Sequence, residues 1–225
     1  HGTSRRQRQM CIRDSTLSMP ENLHKLFVIS SPSGGGKTSL INKLFEDSRS
    51  ANFEKSISDT SRQKRQGDLE GKDYYFLSEK DFKDKIKKEE YVEYATVFGN
   101  FYGTSKQEIK TKYNNSNLIL ELDWQGAYAV KELFDDAKLI FLVPPSLDDL
   151  KQRLIKRNLD SSEAIENRLS EAKKEISKSE MYDYLVLNDD FDKAFEDLSH
   201  ILFEGISPID FNSRASKDLI KRLVE

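Results

Sequence analysis

Ser30-Ser31-Pro32-Ser33-Gly34-Gly35-Gly36-Lys37-Thr38 joins an apolar run, Leu26–Ser30, to a segment, Thr38–Glu46, that carries Leu40, Ile41, Leu44 and Phe45 on one helical face. A strand, a glycine-rich loop and a helix in that order make a phosphate cradle. Glycine lacks Cβ, so backbone N–H groups can converge on phosphate oxygens. The helix N-terminus adds more donors and a partial positive charge. Lys37 is placed to reach the β- and γ-phosphates of a nucleoside triphosphate, and the Thr38 hydroxyl to ligate Mg²⁺. The pattern G-x-x-x-x-G-K-[ST] is met except at Ser31, which stands where its first glycine belongs. The stretch predicts ATP contacts from Ser31, Pro32, Ser33, Gly34, Gly35, Gly36, Lys37, Thr38 and Ser39.

Outward from the loop, short apolar runs alternate with helix-period segments. Leu118–Leu122, Leu139–Val143 and Tyr184–Leu187 read as further strands. Gln125–Phe134, Leu147–Lys156, Ser162–Ser179, Phe191–Phe203 and Ser216–Val224 read as helices. Apolar runs without strict alternation suit a parallel sheet covered on both faces. The expected fold is therefore α/β: a P-loop NTPase-type parallel sheet of five strands flanked by helices. Two segments break the rhythm. Residues 56–115 are polar, tyrosine-rich and punctuated by glycine. They carry a helix near Glu79–Lys88 capped by Ser78, and a capping box at Ser105 and Glu108. Residues 149–180 are highly charged. The expected division is a core of 21–55, 116–148 and 181–225, an insertion at 56–115 and a helical lid at 149–180.

Composition excludes several functions. With 225 residues, 36 Lys plus Arg against 39 Asp plus Glu and a net charge of −3, the chain lacks the basic excess of a nucleic-acid binder. Cys11 is the only cysteine, and His1, His24 and His200 lie far apart, so neither a disulfide nor a structural zinc site is expected. No apolar run approaches the ~20 residues that span a bilayer. A cytoplasmic protein without membrane or nucleic-acid partners is the simplest expectation. Residues 1–20 hold four arginines, no apolar periodicity and no signal-peptide core, and are expected to lie outside the fold.

The loop alone leaves the reaction open, and the two departing segments carry the discriminating chemistry. Arg62 and Arg65 stand three apart, and arginine forks suit phosphate oxygens. Leu118–Gly126 ends a strand with Glu121 and Asp123 two residues apart, which puts both on one face near the edge where ligands bind. A carboxylate there is the usual partner of a phosphate-loop Mg²⁺, held through water. Arg153, Arg157 and Arg168 are spread along 149–180.

From about Leu26 to about Leu223 the order and spacing of these elements resemble the guanylate kinase family. The resemblance implies that Arg62, Arg65, Tyr74 and Tyr102 hold the phosphate of GMP. It implies that Ser58, Glu93, Thr104 and Asp123 surround guanine, Glu93 taking the N1–H and amino protons and Thr104 donating to O6. Guanine's edge fits that set, because it presents two donors beside one acceptor, whereas neutral adenine has no N1 proton. The resemblance further implies lid arginines Arg153, Arg157 and Arg168 that stabilise the phosphoryl group in flight. It suggests an adenine contact from Asn188. Glu121 stands where the family pattern Asp-x-Asp-x-Gln-Gly has aspartate. The implied activity is ATP- and Mg²⁺-dependent phosphorylation of GMP, and of deoxy-GMP, in purine nucleotide metabolism, by a monomer or homodimer. Two alternatives stay open at this point: a kinase for another monophosphate, and a non-catalytic guanylate-kinase-like module that binds protein ligands.

Overall fold

The computed structural model describes residues 24–97, 99–156, 162–207, 209 and 213–225. Residues 1–20, together with Arg157 among the expected lid arginines, lie outside the described residues. The chain begins with β1 (Leu26–Ser30), the phosphate loop and α1 (Lys37–Glu46), followed by β2 (Phe53–Lys55). Next come β3 (Asp59–Thr60), β4 (Tyr75–Phe76), α2 (Glu79–Lys87), β5 (Tyr91–Val97), β6 (Asn100–Ser105) and α3 (Lys106–Tyr113). The chain continues through β7 (Asn117–Glu121), α4 (Trp124–Leu133), β8 (Lys138–Val143), α5 (Leu147–Lys156) and α6 (Ser162–Ile176). It closes with β9 (Tyr184–Leu187), α7 (Phe191–Ser199) and α8 (Arg214–Val224).

The core sheet is parallel, in the order β2-β7-β1-β8-β9. Strand periodicity divides its side chains between two apolar layers. Leu26 and Val28 of β1 join Leu118, Leu120, Leu139 and Phe141 under α3, α4 and α8. Phe27 and Ile29 join Ile119, Ile140 and Leu142 under α1 and α7. Burial on both faces explains why these strands read as unbroken apolar runs. The fifth strand is β2, three half-buried residues at the sheet edge that no apolar run marks.

The insertion builds a second sheet, β4-β3-β6-β5, around the antiparallel hairpin β5–β6. Phe82 of α2 stacks on Tyr91 at 4.6 Å and on Phe101 at 5.4 Å, and so gives this sheet its own apolar centre. Ser78 accepts from the Asp81 N–H and Ser105 from the Glu108 N–H, but the capping box is only half formed, because the Glu108 carboxylate accepts from the Ile57 N–H at 2.9 Å and pairs with Lys112.

Two helices stop short of the sequence reading. α6 stops at Ile176, and a short 3₁₀ turn spans Ser179–Met181. α7 stops at Ser199 and passes into a π-helical turn, His200–Glu204, closed by Gly205 in the left-handed region. The segment 149–180 is also anchored at both ends. Leu150 and Leu154 of α5 are fully buried beneath the phosphate loop, while Ile176 belongs to the core layer.

Candidate active site

At the C-terminal end of β1 the chain turns so tightly that Gly34 and Gly36 take φ of 87° and 91°. Any Cβ on Gly36 would lie 2.3 Å from the Asn188 amide nitrogen. That nitrogen donates to the Gly35 carbonyl at 2.7 Å, and Asn188 is only 4% exposed. The Asn188 amide, the expected adenine contact, thus also holds the loop in place. Arg153 is also committed here, donating to the Asn188 carbonyl at 2.8 Å, so α5 and β9 brace the loop together. Residues Ser31 through Thr38 line the cleft, while Ser39, one step along α1, is exposed.

Lys37 leans across the cleft and donates to the Leu122 carbonyl at 2.9 Å. The Thr38 hydroxyl donates to Glu121 Oε1 at 2.6 Å, and Lys55 pairs with Glu121 Oε2 at 2.6 Å. Burial pushes the Glu121 carboxyl up, but Lys37, Lys55 and the hydrogen bonds outweigh it and hold the group below its ordinary value. The longer glutamate side chain therefore reaches the Thr38 hydroxyl as a charged group. Lys55 escaped the sequence reading because β2 did. Asp123 lies past the end of β7, where its Oδ1 accepts from the Gly126 N–H at 2.9 Å and caps α4; it still lines the cleft with Glu121.

The other end of the cleft belongs to the insertion. Hairpin register puts Glu93 opposite Thr104, and the Thr104 and Ser58 hydroxyls are 3.4 Å apart. Glu93 is 5% exposed, and its Oε1 has no hydrogen-bond partner. Burial is the main reason its carboxyl is pushed up to about 7; the Asp123 charge adds to this and hydrogen bonds from Thr104 oppose it. The rings of Tyr74 and Tyr102 meet edge-on at 5.8 Å, and burial pushes the Tyr74 hydroxyl up to about 12. Ser58, Arg65, Tyr74, Glu93 and Tyr102 all line the cleft.

Arg62 does not join them. Its guanidinium pairs with Asp68 at 2.8 Å, donates to the Gln63 carbonyl and lies over the rings of Tyr74 and Phe76. Asp68 Oδ2 also accepts from the Arg65 N–H at 2.7 Å, so one carboxylate shapes the whole arginine turn. Arg168 of α6 lines the cleft, as does Glu175, which the sequence reading missed. Burial pushes the Glu175 carboxyl up to about 7, with Asp123 and Glu171 adding and Lys37 opposing. The available signal was helical spacing: Arg168, Ala172 and Glu175 fall at i, i+4 and i+7, on one face.

A parallel sheet, a phosphate loop at its switch edge and a second polar pocket across the same cleft define a P-loop nucleotide kinase. The family model described as guanylate kinase matches residues 23–205. A guanylate kinase from a Wolbachia of Brugia malayi is 46% identical, over 81% of this chain and 93% of that protein. One from Coxiella burnetii is 42% identical, over 91% and 98%. The crystal structure of guanylate kinase from Anaplasma phagocytophilum superposes with a TM-score of 0.66 at 32% identity, covering 92% of this chain and all of that one. The chain belongs to the guanylate kinase family.

Proposed function

We propose that this protein transfers the γ-phosphoryl group of ATP to the phosphate of GMP, giving ADP and GDP, and accepts deoxy-GMP as well. One observation carries the acceptor assignment. A buried carboxylate with an unpartnered oxygen, Glu93, faces the Thr104 and Ser58 hydroxyls at the far end of a cleft that begins at the phosphate loop. Guanine supplies two N–H donors to that carboxylate and one acceptor to the hydroxyls. Ser31 to Thr38 and Lys37 hold the triphosphate, and Arg65, Tyr74 and Tyr102 hold the acceptor phosphate. Arg62 serves through its stack on Tyr74.

The oxygen set suits Mg²⁺. Thr38 offers a hydroxyl, and Glu121 lies one hydrogen bond behind it, where a water ligand can be gripped. Among the described residues no group of three His, Cys, Asp or Glu forms a metal cage; in this reading phosphate oxygens and water would complete the coordination. When bound, Mg²⁺ supplies charge neutralisation to the transferring phosphates. The acceptor phosphate is already ionised at neutral pH, so no general base is required. Among the described residues no helix is long and apolar enough to cross a membrane.

A coupled assay for ADP with GMP, AMP, UMP and CMP tests the reading. GMP is expected to exceed AMP by at least about 10²-fold in kcat/KM, because AMP leaves the buried carboxylate unpaired. Preference for AMP, or no ADP with any acceptor, would overturn the proposal.

Glu93→Gln makes a second, sharper test. It should lower kcat/KM for GMP by about 10²-fold while changing the KM for ATP by no more than about twofold. It should also alter stability with a definite sign. The folded-state value of Glu93 is raised from 4.5 to about 7, so ionised Glu93 destabilises the fold as pH rises through that interval. Without nucleotide, the Gln variant should melt above the parent at pH 8, by an amount corresponding to at most about 3 kcal/mol. The gap should close toward pH 5. A gap that widens on acidification would show that Glu93 is not held in this buried state.

A further inference from the structure

We propose that Gly126, the third residue of α4, is a specificity-determining position for the acceptor: by lacking a Cβ it lets the Glu93 carboxylate seat against α4, while its N–H fixes Asp123 beside it. The inference rests on the assignment of Glu93 to guanine.

The glycine has no conformational explanation. Its φ lies outside the left-handed region occupied by six other glycines, and glycine inside a helix weakens that helix relative to alanine. What it provides is space. A Cβ at 126 would stand 2.9 Å from Glu93 Oε2, 3.3 Å from Glu93 Cδ and 3.2 Å from Leu122 Cβ. Ordinary contact begins at 3.4 Å, so the carboxylate would have to retreat by about half an ångström. Glu93 has little freedom to yield. It is 5% exposed and sits in the β5–β6 ladder opposite Thr104. The Gly126 N–H meanwhile donates to Asp123 Oδ1 at 2.9 Å. One residue thus sets both carboxylates on the guanine side of the cleft: one by a hydrogen bond, the other by an absent side chain.

The consequence is chemical selectivity. Guanine gives its N1–H and its 2-amino group to a carboxylate held flat against it. Hypoxanthine, the base of IMP, has the N1–H and lacks the amino group. A carboxylate displaced by half an ångström loses the geometry for a matched pair of bonds, and with it the ground for preferring guanine over hypoxanthine.

Gly126→Ala tests this by steady-state kinetics with GMP, IMP and ATP. The expected result is a KM for GMP raised at least about tenfold, a KM for ATP within about twofold, and a GMP-to-IMP ratio of kcat/KM reduced by about tenfold. In a Glu93→Gln background the same substitution should add less than about threefold, because the two residues act through one contact. An unchanged KM for GMP, or an equal effect in both backgrounds, would overturn the inference. Should Gly126→Ala not fold, Gly126→Ala with Glu93→Asp decides. The shorter carboxylate withdraws from the new methyl, and the pair should melt like Glu93→Asp alone. A double variant that also fails to fold puts the conflict at Leu122 and overturns the inference. If Glu93→Gln leaves GMP kinetics unchanged, the guanine assignment falls and this inference with it. A normal loss in Glu93→Gln with none in Gly126→Ala removes this inference alone.

Discussion

Lys37→Ala should abolish turnover, lowering kcat by about 10³-fold or more, and leave the fold intact. Lys37 opens α1 at the mouth of the phosphate loop, and its ammonium now rests on the Leu122 carbonyl. That single charge-assisted bond contributes about 1.5–3 kcal/mol, so its loss should lower the melting temperature by several degrees without unfolding the chain. The nearby carboxylate does not become an orphan, since Lys55 and Thr38 still hold Glu121. In the transfer step the balance is different. The ammonium follows the negative charge that develops between the β- and γ-phosphates, and a 10³-fold loss corresponds to about 4 kcal/mol of transition-state stabilisation. Lys37→Arg should not rescue, because a planar fork cannot replace a compact charge at the end of a tight loop. The measurement is kcat at saturating ATP and GMP beside a thermal melt. Turnover within tenfold of the parent, in a folded variant, would remove Lys37 from the cradle.

What the sequence made legible, and what it concealed, follows from how each feature is encoded. The inner strands were readable because burial on both faces demands unbroken apolar runs, and β9 was found at its observed ends, Tyr184–Leu187. The edge strand β2 was not, because three half-buried residues at a sheet margin need no such run. The phosphate loop was readable because glycine and lysine at fixed spacing are themselves the chemistry. Arg62 and Arg65 illustrate the limit. In sequence they are equivalent, two arginines three apart. In space Asp68 engages the guanidinium of one and only the backbone of the other, leaving Arg65 on the cleft wall and Arg62 behind it. Asn188 carries a loop-bracing role that its sequence position does not show. An amide at a strand end resembles a base contact, and only the left-handed Gly36, 2.3 Å from it in virtual Cβ, shows what the amide is packed against. Glu175 lay in a charged helix, where the one signal for it was the helical spacing that puts it on a face with Arg168 and Ala172.

That same face decides the other large effect. Arg168→Ala should lower kcat by about 10³- to 10⁵-fold with far smaller changes in either KM. Of the two lid arginines among the described residues, Arg153 is drawn to the Asn188 carbonyl, and Arg168 is the one that lines the cleft. Its helix is held from below: Ile165, Ala172 and Ile176 are buried, so the guanidinium is presented by a fixed element. In the proposed mode nucleotide binding draws on other groups, the loop N–H donors, Lys37 and Arg65, which would neutralise the ground-state phosphates. The phosphoryl group in flight spreads negative charge over three oxygens, and a guanidinium facing it gains most at that moment, so its loss appears in kcat. Alanine is a good helix former, and α6 should keep its stability. Arg168→Lys retains charge but not the fork, and should recover no more than about tenfold of the loss. Steady-state kinetics of both variants, with melting curves, is the check. A kcat within tenfold of the parent for Arg168→Ala would show that the transition-state charge is met from elsewhere on the lid.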